Sequence, residues 1–249
     1  KVLMIDKGEY GTDTLSTHAL MRTAVLLLKR WGVLPALVRA GAPPVHHTSF
    51  TYEDERVDVP IKADGEVSAL YAPQRLVLDR VLVDAARSAG VEVAFGTMLI
   101  GLTSNDADQV NGIIAKTRSG GTIRAAADIV IGADGRQSKV ARLVQADTLA
   151  ERSERSSMMF GYIAGLENQG YRWYWRENSS AGIIPTNDGY QCVFASVPRE
   201  AFRSTFGAGE WRGLVEAIRL HDPEAAGQLS PANLDGGLRK FAGAPAHLK

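Results

Sequence analysis

The sequence predicts an α/β protein: a region of parallel strands, crossover helices and a β-meander, joined to a strand-rich α+β region. Three observations carry this. Residues 128–142, DIVIGADGRQSKVAR, read as a short apolar strand, a glycine turn holding an acid, and a helix start. Residues 68–93 read as strand, helix and strand again, one crossover unit. After Val144 the composition turns polar over 145–157 and then gives four short strands in succession.

Composition sets the outer bounds. The chain has 249 residues, 45% of them hydrophobic and 22% charged, enough for one large or two ordinary domains. Lys plus Arg balances Asp plus Glu at 28 each, which gives no general field for nucleic acid or an anionic membrane. A single cysteine, Cys192, excludes an internal disulfide and a cysteine-based zinc site. No apolar run approaches the ~20 residues of a membrane span, and a cytoplasmic setting is the expectation.

Taken in order, 2–5 is an apolar strand ending at Asp6. In a dinucleotide-binding unit such an acid holds ribose hydroxyls; its plainer reading is the polar end of a strand. Ser16 or Thr17 caps a helix through Leu20, Val25 and Leu28, stopped at Gly32, with Pro35 opening a second short helix. Residues 45–60 alternate as a hairpin with its tip at 53–55. A short strand at 68–71 precedes a helix from Pro73 to Gly90 and a strand at 91–93. Residues 97–103, 110–117 and 122–124 form the meander, turning at 105–106 and 120–121.

The apolar run at 129–131 is the strand before the turn. Gly132 and Gly135 let the backbone approach a ligand, and Ser138 caps the helix that follows. Strands follow at 158–165, 171–176, 182–185 and 191–197, then helices at 202–206 and 211–220, and a Gly/Ala-rich tail from Gly236. Adjacent residues of a strand alternate faces, so Trp173 and Trp175 share one and Tyr174 takes the other.

Four segments together resemble the FAD-dependent monooxygenases of the para-hydroxybenzoate hydroxylase type: VLMIDKG at 2–8, DTLSTHALMR at 13–22, LYAPQRLVLDRVLVDAARSAG at 70–90 and IGADGRQSKVARLV at 131–144. GIIPTNDGYQCVFAS at 182–196 is similar to the substrate-domain sheet of that family. The resemblance implies a partial Rossmann-like FAD-binding domain over 1–44 and 69–147, and a substrate domain over 45–68 and 148–249. The glycine-rich turn and the later Gly-Asp motif of the family do not occur in the sequence. The chain therefore reads as a fragment of a flavoenzyme, expected to bind FAD weakly or not at all by itself.

Carried over by resemblance, Asp6 binds the adenosine ribose and Lys7 lies beside the adenine. Arg22 meets the pyrophosphate, with His18 as a competitor because the alignment slides there. Arg75 contacts the flavin linker, Leu99 touches the adenine through its backbone, Asp134 faces the FAD ribose and is also implicated with NAD(P)H, and Gly135 lets the backbone come close. Arg142 reads as a salt bridge that ties its helix down.

The implied reaction uses NADH or NADPH to reduce FAD, adds O2 to give a flavin hydroperoxide, and passes an oxygen atom to an aromatic or polyketide-like small molecule. The cofactor carries the hard step, so no catalytic triad or carboxylate pair is required. Phe160, Trp173, Trp175 and Pro185, with Met158, are candidate pocket walls; ordinary sheet packing is the plainer reading of each. His46 and His47 read as edge-strand surface residues, and no metal site is expected. Rival readings are a reductase or dehydrogenase of the same fold, such as an isoprenoid saturase, a flavin halogenase, and a non-catalytic binding protein derived from the fold. Oligomeric state is not legible.

Overall fold

A computed structural model describes residues 1–14, 19–152, 156–207, 209–241, 243 and 246–248. In chain order the first half holds β1 (Leu3–Ile5), α1 (Arg22–Arg30), α2 (Leu34–Arg39), β2 (His47–Tyr52), β3 (Glu55–Pro60), α3 (Arg75–Ser88) and β4 (Glu92–Ala94). Then come β5 (Thr97–Ser104), β6 (Val110–Thr117), β7 (Thr122–Ala126), α4 (Lys139–Leu143) and β8 (Ala150–Arg152). The second half adds β9 (Ser156–Ile163), β10 (Tyr171–Arg176), β11 (Ser179–Pro185), β12 (Gln191–Pro198), α5 (Phe202–Phe206), α6 (Glu210–His221), α7 (Pro223–Gln228), β13 (Leu234–Phe241) and β14 (Ala246–Leu248).

The chain forms two compact units. One comprises residues 1–12, 82–154 and 245–249, and the other 13–81 and 155–244. This partition differs from the one the sequence suggests, because 13–44 and 69–81 fall with the large sheet. Leu20 bridges to Tyr71, Val45 bridges to Leu70, and the Thr186 hydroxyl donates to the Ala72 carbonyl at 2.7 Å.

In the first unit β1 and β4 pair in parallel, Leu3 opposite Glu92. The partner of β4 is thus β1; the 68–71 segment makes only isolated bridges and is no strand of the crossover. The β5–β6–β7 meander is antiparallel. Gly112 is required in it: a Cβ there would stand 2.4 Å from the Ala125 carbonyl oxygen. β8 pairs antiparallel with β14.

The apolar run 129–131 is not a strand. Ile129 and Ile131 are 77% and 83% exposed, and no described strand pairs with them. β-structure needs a hydrogen-bonding edge as well as an apolar run, and the ladder of β7 ends at Ala126.

Two helix starts also move. α3 begins at Arg75, two residues after Pro73, where the Gln74 amide is taken by the Asn187 side chain at 2.9 Å. α1 begins at Arg22, with Met21 at its N-cap and no side-chain cap, because the Leu20 amide bonds the Tyr71 carbonyl at 2.9 Å. Ser16, Thr17 and His18 lie outside the described residues.

In the second unit seven strands run in the order β13-β9-β12-β11-β10-β2-β3, with β10 and β2 parallel and the other pairs antiparallel. One face packs on helices: Met159, Ile163, Ile183 and Val193 meet Leu214 and Ile218 of α6 and Phe206 of α5. The opposite face packs Phe160, Tyr171, Ile184, Cys192 and Phe194 against Val45, Leu70 and Ala72. The tail read as Gly/Ala-rich contributes β13. It pairs with β9 across a bulge where Gly236 and Gly237 take φ values of +65° and +104°.

Candidate functional site

In the first unit the glycine turn and the end of β1 carry the polar groups. Asp134 accepts from the backbone N–H of Lys139 at 2.6 Å and of Val140 at 3.1 Å, and from the Ser138 hydroxyl. Desolvation works to raise its pKa. The hydrogen bonds from Ser138, Val140 and Lys139 outweigh it and hold the carboxyl below its ordinary value. Ser138 caps α4 as expected, its Oγ accepting from the Ala141 amide at 3.0 Å.

The two glycines serve different ends. Gly135 takes a φ of +79° with open space where a Cβ would stand. A Cβ on Gly132 would come within 2.9 Å of Val140, so its close approach is to the helix. Arg142 reaches the Gln137 carbonyl at 3.5 Å, and no ion pair of it is seen among the described residues, contrary to the expected salt bridge.

Asp6 stands exposed beyond the last residue of β1 and accepts from the Gly8 amide at 2.6 Å. Lys7 beside it is exposed, and Leu99 lies half-buried on β5. β5 packs against both β1 and α4. The strand that bears Leu99 is therefore the common neighbour of the strand ending at Asp6 and the helix that Asp134 caps.

Arg22 and Arg75 belong to the second unit, and both guanidinium groups are engaged. Arg22 donates to the carbonyls of Lys62 and Val67. Arg75 forms a two-pronged pair with Asp79, both contacts at 2.8 Å. The Asp79 hydrogen bond raises the Arg75 pKa further. A hollow of about 240 Å³ between α1, α2 and the 66–71 segment is lined by Val25, Lys29, Leu34 and Tyr71, and contains none of these expected residues.

The sheet of the second unit builds the other candidate surface. Its register sets Phe50, Trp173, Gly182, Phe194 and Phe160 side by side on one face, ending at Arg239. The next row on that face holds Tyr52, Trp175, Ser180, Ser196 and Met158. Trp175 stacks on Tyr52 at 4.9 Å, on Phe50 at 6.1 Å and on Trp173 at 6.4 Å, all within 19° of parallel. Trp173 meets Phe194 edge-on at 6.1 Å, and its indole N–H is buried with no hydrogen-bond partner among the described residues.

Gly182 makes room for the Phe194 ring, which a Cβ would meet at 2.4 Å. Cys192 lies on the same face, and burial pushes its thiol up to about 12, leaving it a protonated, inert side chain.

Phe160, Trp173, Trp175 and Met158 are thus brought together, while Pro185 takes the other face with Ile183 and Ala181. Phe50, Tyr52, Gly182, Phe194 and Arg239 were not singled out from sequence. A glycine inside a strand pattern was the available signal for Gly182. His46 bonds the Ser68 carbonyl at 3.1 Å and His47 faces Asp58 at 3.4 Å, both at the surface. Among the described residues no three His, Cys, Asp or Glu gather as metal ligands, and no helix is long and apolar enough to cross a membrane.

The model of the FAD-binding domain family matches residues 1–227. The chain belongs to that family. A monooxygenase of Aspergillus candidus, cfoF, is 25% identical over 205 residues, covering 76% of this chain and 45% of that protein. The digeranylgeranylglycerophospholipid reductase of Methanosarcina mazei is 35% identical over 146 residues, covering 58% of this chain and 33% of its own length. The chain therefore spans less than half the length of these curated relatives. PqsL of Pseudomonas aeruginosa, described as a probable FAD-dependent monooxygenase, shares the fold with a TM-score of 0.78 at 17% identity, over 96% of this chain and 66% of PqsL.

The exposed Asp6 carboxylate at a strand end is an acceptor for adenosine ribose hydroxyls, and the glycine turn before α4 suits a close backbone approach. The open space over Gly135 leaves room for that approach. On these grounds the residues of the first unit fit FAD.

Proposed function

We propose that this chain forms the cofactor-holding and substrate-facing parts of a flavin-dependent monooxygenase acting on an aromatic small molecule, with NADH or NADPH as co-substrate and O2 as oxidant, in the cytoplasm. The observation that carries the substrate class is the aromatic face of the sheet, where Trp173, Trp175, Phe194 and Phe160 align.

For the cofactor, Asp6 takes the ribose hydroxyls and Lys7 and the Leu99 backbone flank the adenine. Asp134, whose oxygens are held by α4, fixes the turn so that the Gly135 backbone meets the ligand. When bound, FAD supplies the redox chemistry that links the nicotinamide, O2 and the substrate. The protein orients the ring system against the aromatic row and keeps water from it. In the partition this reading favours, 1–44 and 69–147 serve the cofactor, and 45–68 with 148–249 serve the substrate.

A second reading, a reductase of the same fold, is favoured by the 35% identity to the Methanosarcina protein. The test has two parts. FAD titrated into the chain should quench tryptophan fluorescence and bind less tightly to Asp6→Ala; equal affinity for the two proteins defeats the cofactor assignment. NAD(P)H consumption that rises with an aromatic compound only when O2 is present supports the monooxygenase. Consumption indifferent to O2 supports the reductase.

A further inference from the structure

We propose that Arg239 is the specificity-determining cation for an acidic group on the aromatic ligand, and that Asp13 is the internal carboxylate which that group replaces. This rests on the aromatic face being the substrate surface.

The rows of that face are uncharged across β9, β10, β11 and β12, where they carry only aromatic, aliphatic, small, thiol, hydroxyl and proline side chains. A charge on a ligand lying there would be desolvated with no counter-charge beneath it. The row through Trp173, Phe194 and Phe160 ends, one strand further, at Arg239.

The guanidinium is held in place by rings. Its Cζ lies 4.9 Å from the Tyr162 centroid and 5.8 Å from that of Phe160. Stacking on aromatic faces and a hydrogen bond to the Tyr162 side chain orient the planar fork. Its side chain keeps 39% of its exposure.

Asp13 shows what that edge accepts. Its Oδ2 takes an N–H from Arg239 Nη1, while its Oδ1 is held by the Thr14 amide at 3.0 Å. This is a single-pronged contact to a group built for two-pronged pairing. Asp13 also lies within electrostatic reach of Arg75, which is already paired with Asp79. An incoming carboxylate or phenolate therefore competes with one internal carboxylate for one cation. Removing the competitor should strengthen ligand binding.

The experiment is isothermal titration calorimetry of this chain at neutral pH with 2-naphthoate and with its methyl ester. The acid should bind about tenfold more tightly than the ester, the scale of one charge-assisted pair. Arg239→Gln should abolish that preference and leave ester affinity unchanged. Asp13→Asn should tighten binding of the acid and not of the ester, a gain that misfolding cannot produce. Equal affinities in the unaltered chain, a preference that survives Arg239→Gln, or weaker acid binding in Asp13→Asn each overturn the role of Arg239 and leave the aromatic-surface reading standing. Binding of neither compound defeats that reading and this one together.

Discussion

Gly182→Ala tests the packing of the aromatic face. The new Cβ would stand 2.4 Å from Cε1 and Cζ of Phe194 and 3.2 Å from the Arg172 carbonyl oxygen. Ordinary contact begins at 3.4 Å, so the ring must retreat by the difference, 1.0 Å. It has little room, since Phe194 is 7% exposed and its edge contact with Trp173 lies at 6.1 Å. Overpacking of this kind costs about 1–3 kcal/mol. For a chain of this size that lowers the melting temperature by about 2–12 °C. Thermal unfolding by far-UV circular dichroism reads the loss, and near-UV circular dichroism reads the disturbed tryptophans. A variant with unchanged melting temperature and an unchanged near-UV spectrum would refute the claim that Phe194 lies over Gly182.

Four other outcomes are expected. Asp134→Ala removes the acceptor for two amides at the start of α4, a cap worth about 0.5–2 kcal/mol, so hydrogen exchange at Lys139 and Val140 should accelerate; unchanged protection of both amides would deny the cap. His221, bonded to Ser179 at 2.8 Å, has its pKa lowered by burial first and Arg176 second. The folded state then binds fewer protons, so stability is full above the ordinary histidine value near 6.5 and falls as pH drops from there to the lower folded value; an acid-side denaturation profile identical in His221→Gln would count against it. Tyr174→Phe takes a 2.6 Å hydrogen bond from Asp222, which also pairs with buried Arg172, and should cost about 1.5–3 kcal/mol in urea unfolding; a negligible change would show the bond to be dispensable. Replacing Ile129 and Ile131 together by Ser should leave stability within about 0.5 kcal/mol, as for surface positions; a large loss would mean the segment is a buried strand after all.

Local signals in the chain were read correctly where the physics is local. Gly32 and Gly90 end helices with φ of +71° and +86°, the Glu53-Asp54 tip turns the β2–β3 hairpin, and Ser138 caps α4. Each depends on a backbone conformation or hydrogen bond within a few residues. The apolar run at 129–131 failed because strand formation is settled by a partner edge, which a run of isoleucine and valine does not contain. The tail shows the converse. Its Gly/Ala-rich composition from Gly236 assigns no element, and yet β9 offered an edge that recruited β13 around Gly236 and Gly237 as a bulge.

The sequence by itself determined that the chain is α/β, that 2–6 and 128–142 carry the marks of a nucleotide-binding family, and that Trp173 and Trp175 share a face, because periodicity and turn chemistry are properties of neighbouring residues. Only the tertiary structure decided that Phe50, Gly182, Phe194 and Phe160 complete that face, that Pro185 leaves it, and that Arg239 meets Asp13 at its end. These follow from strand order and register between separate segments, some neighbouring in sequence and some distant, set by the burial of whole faces and encoded in no single segment.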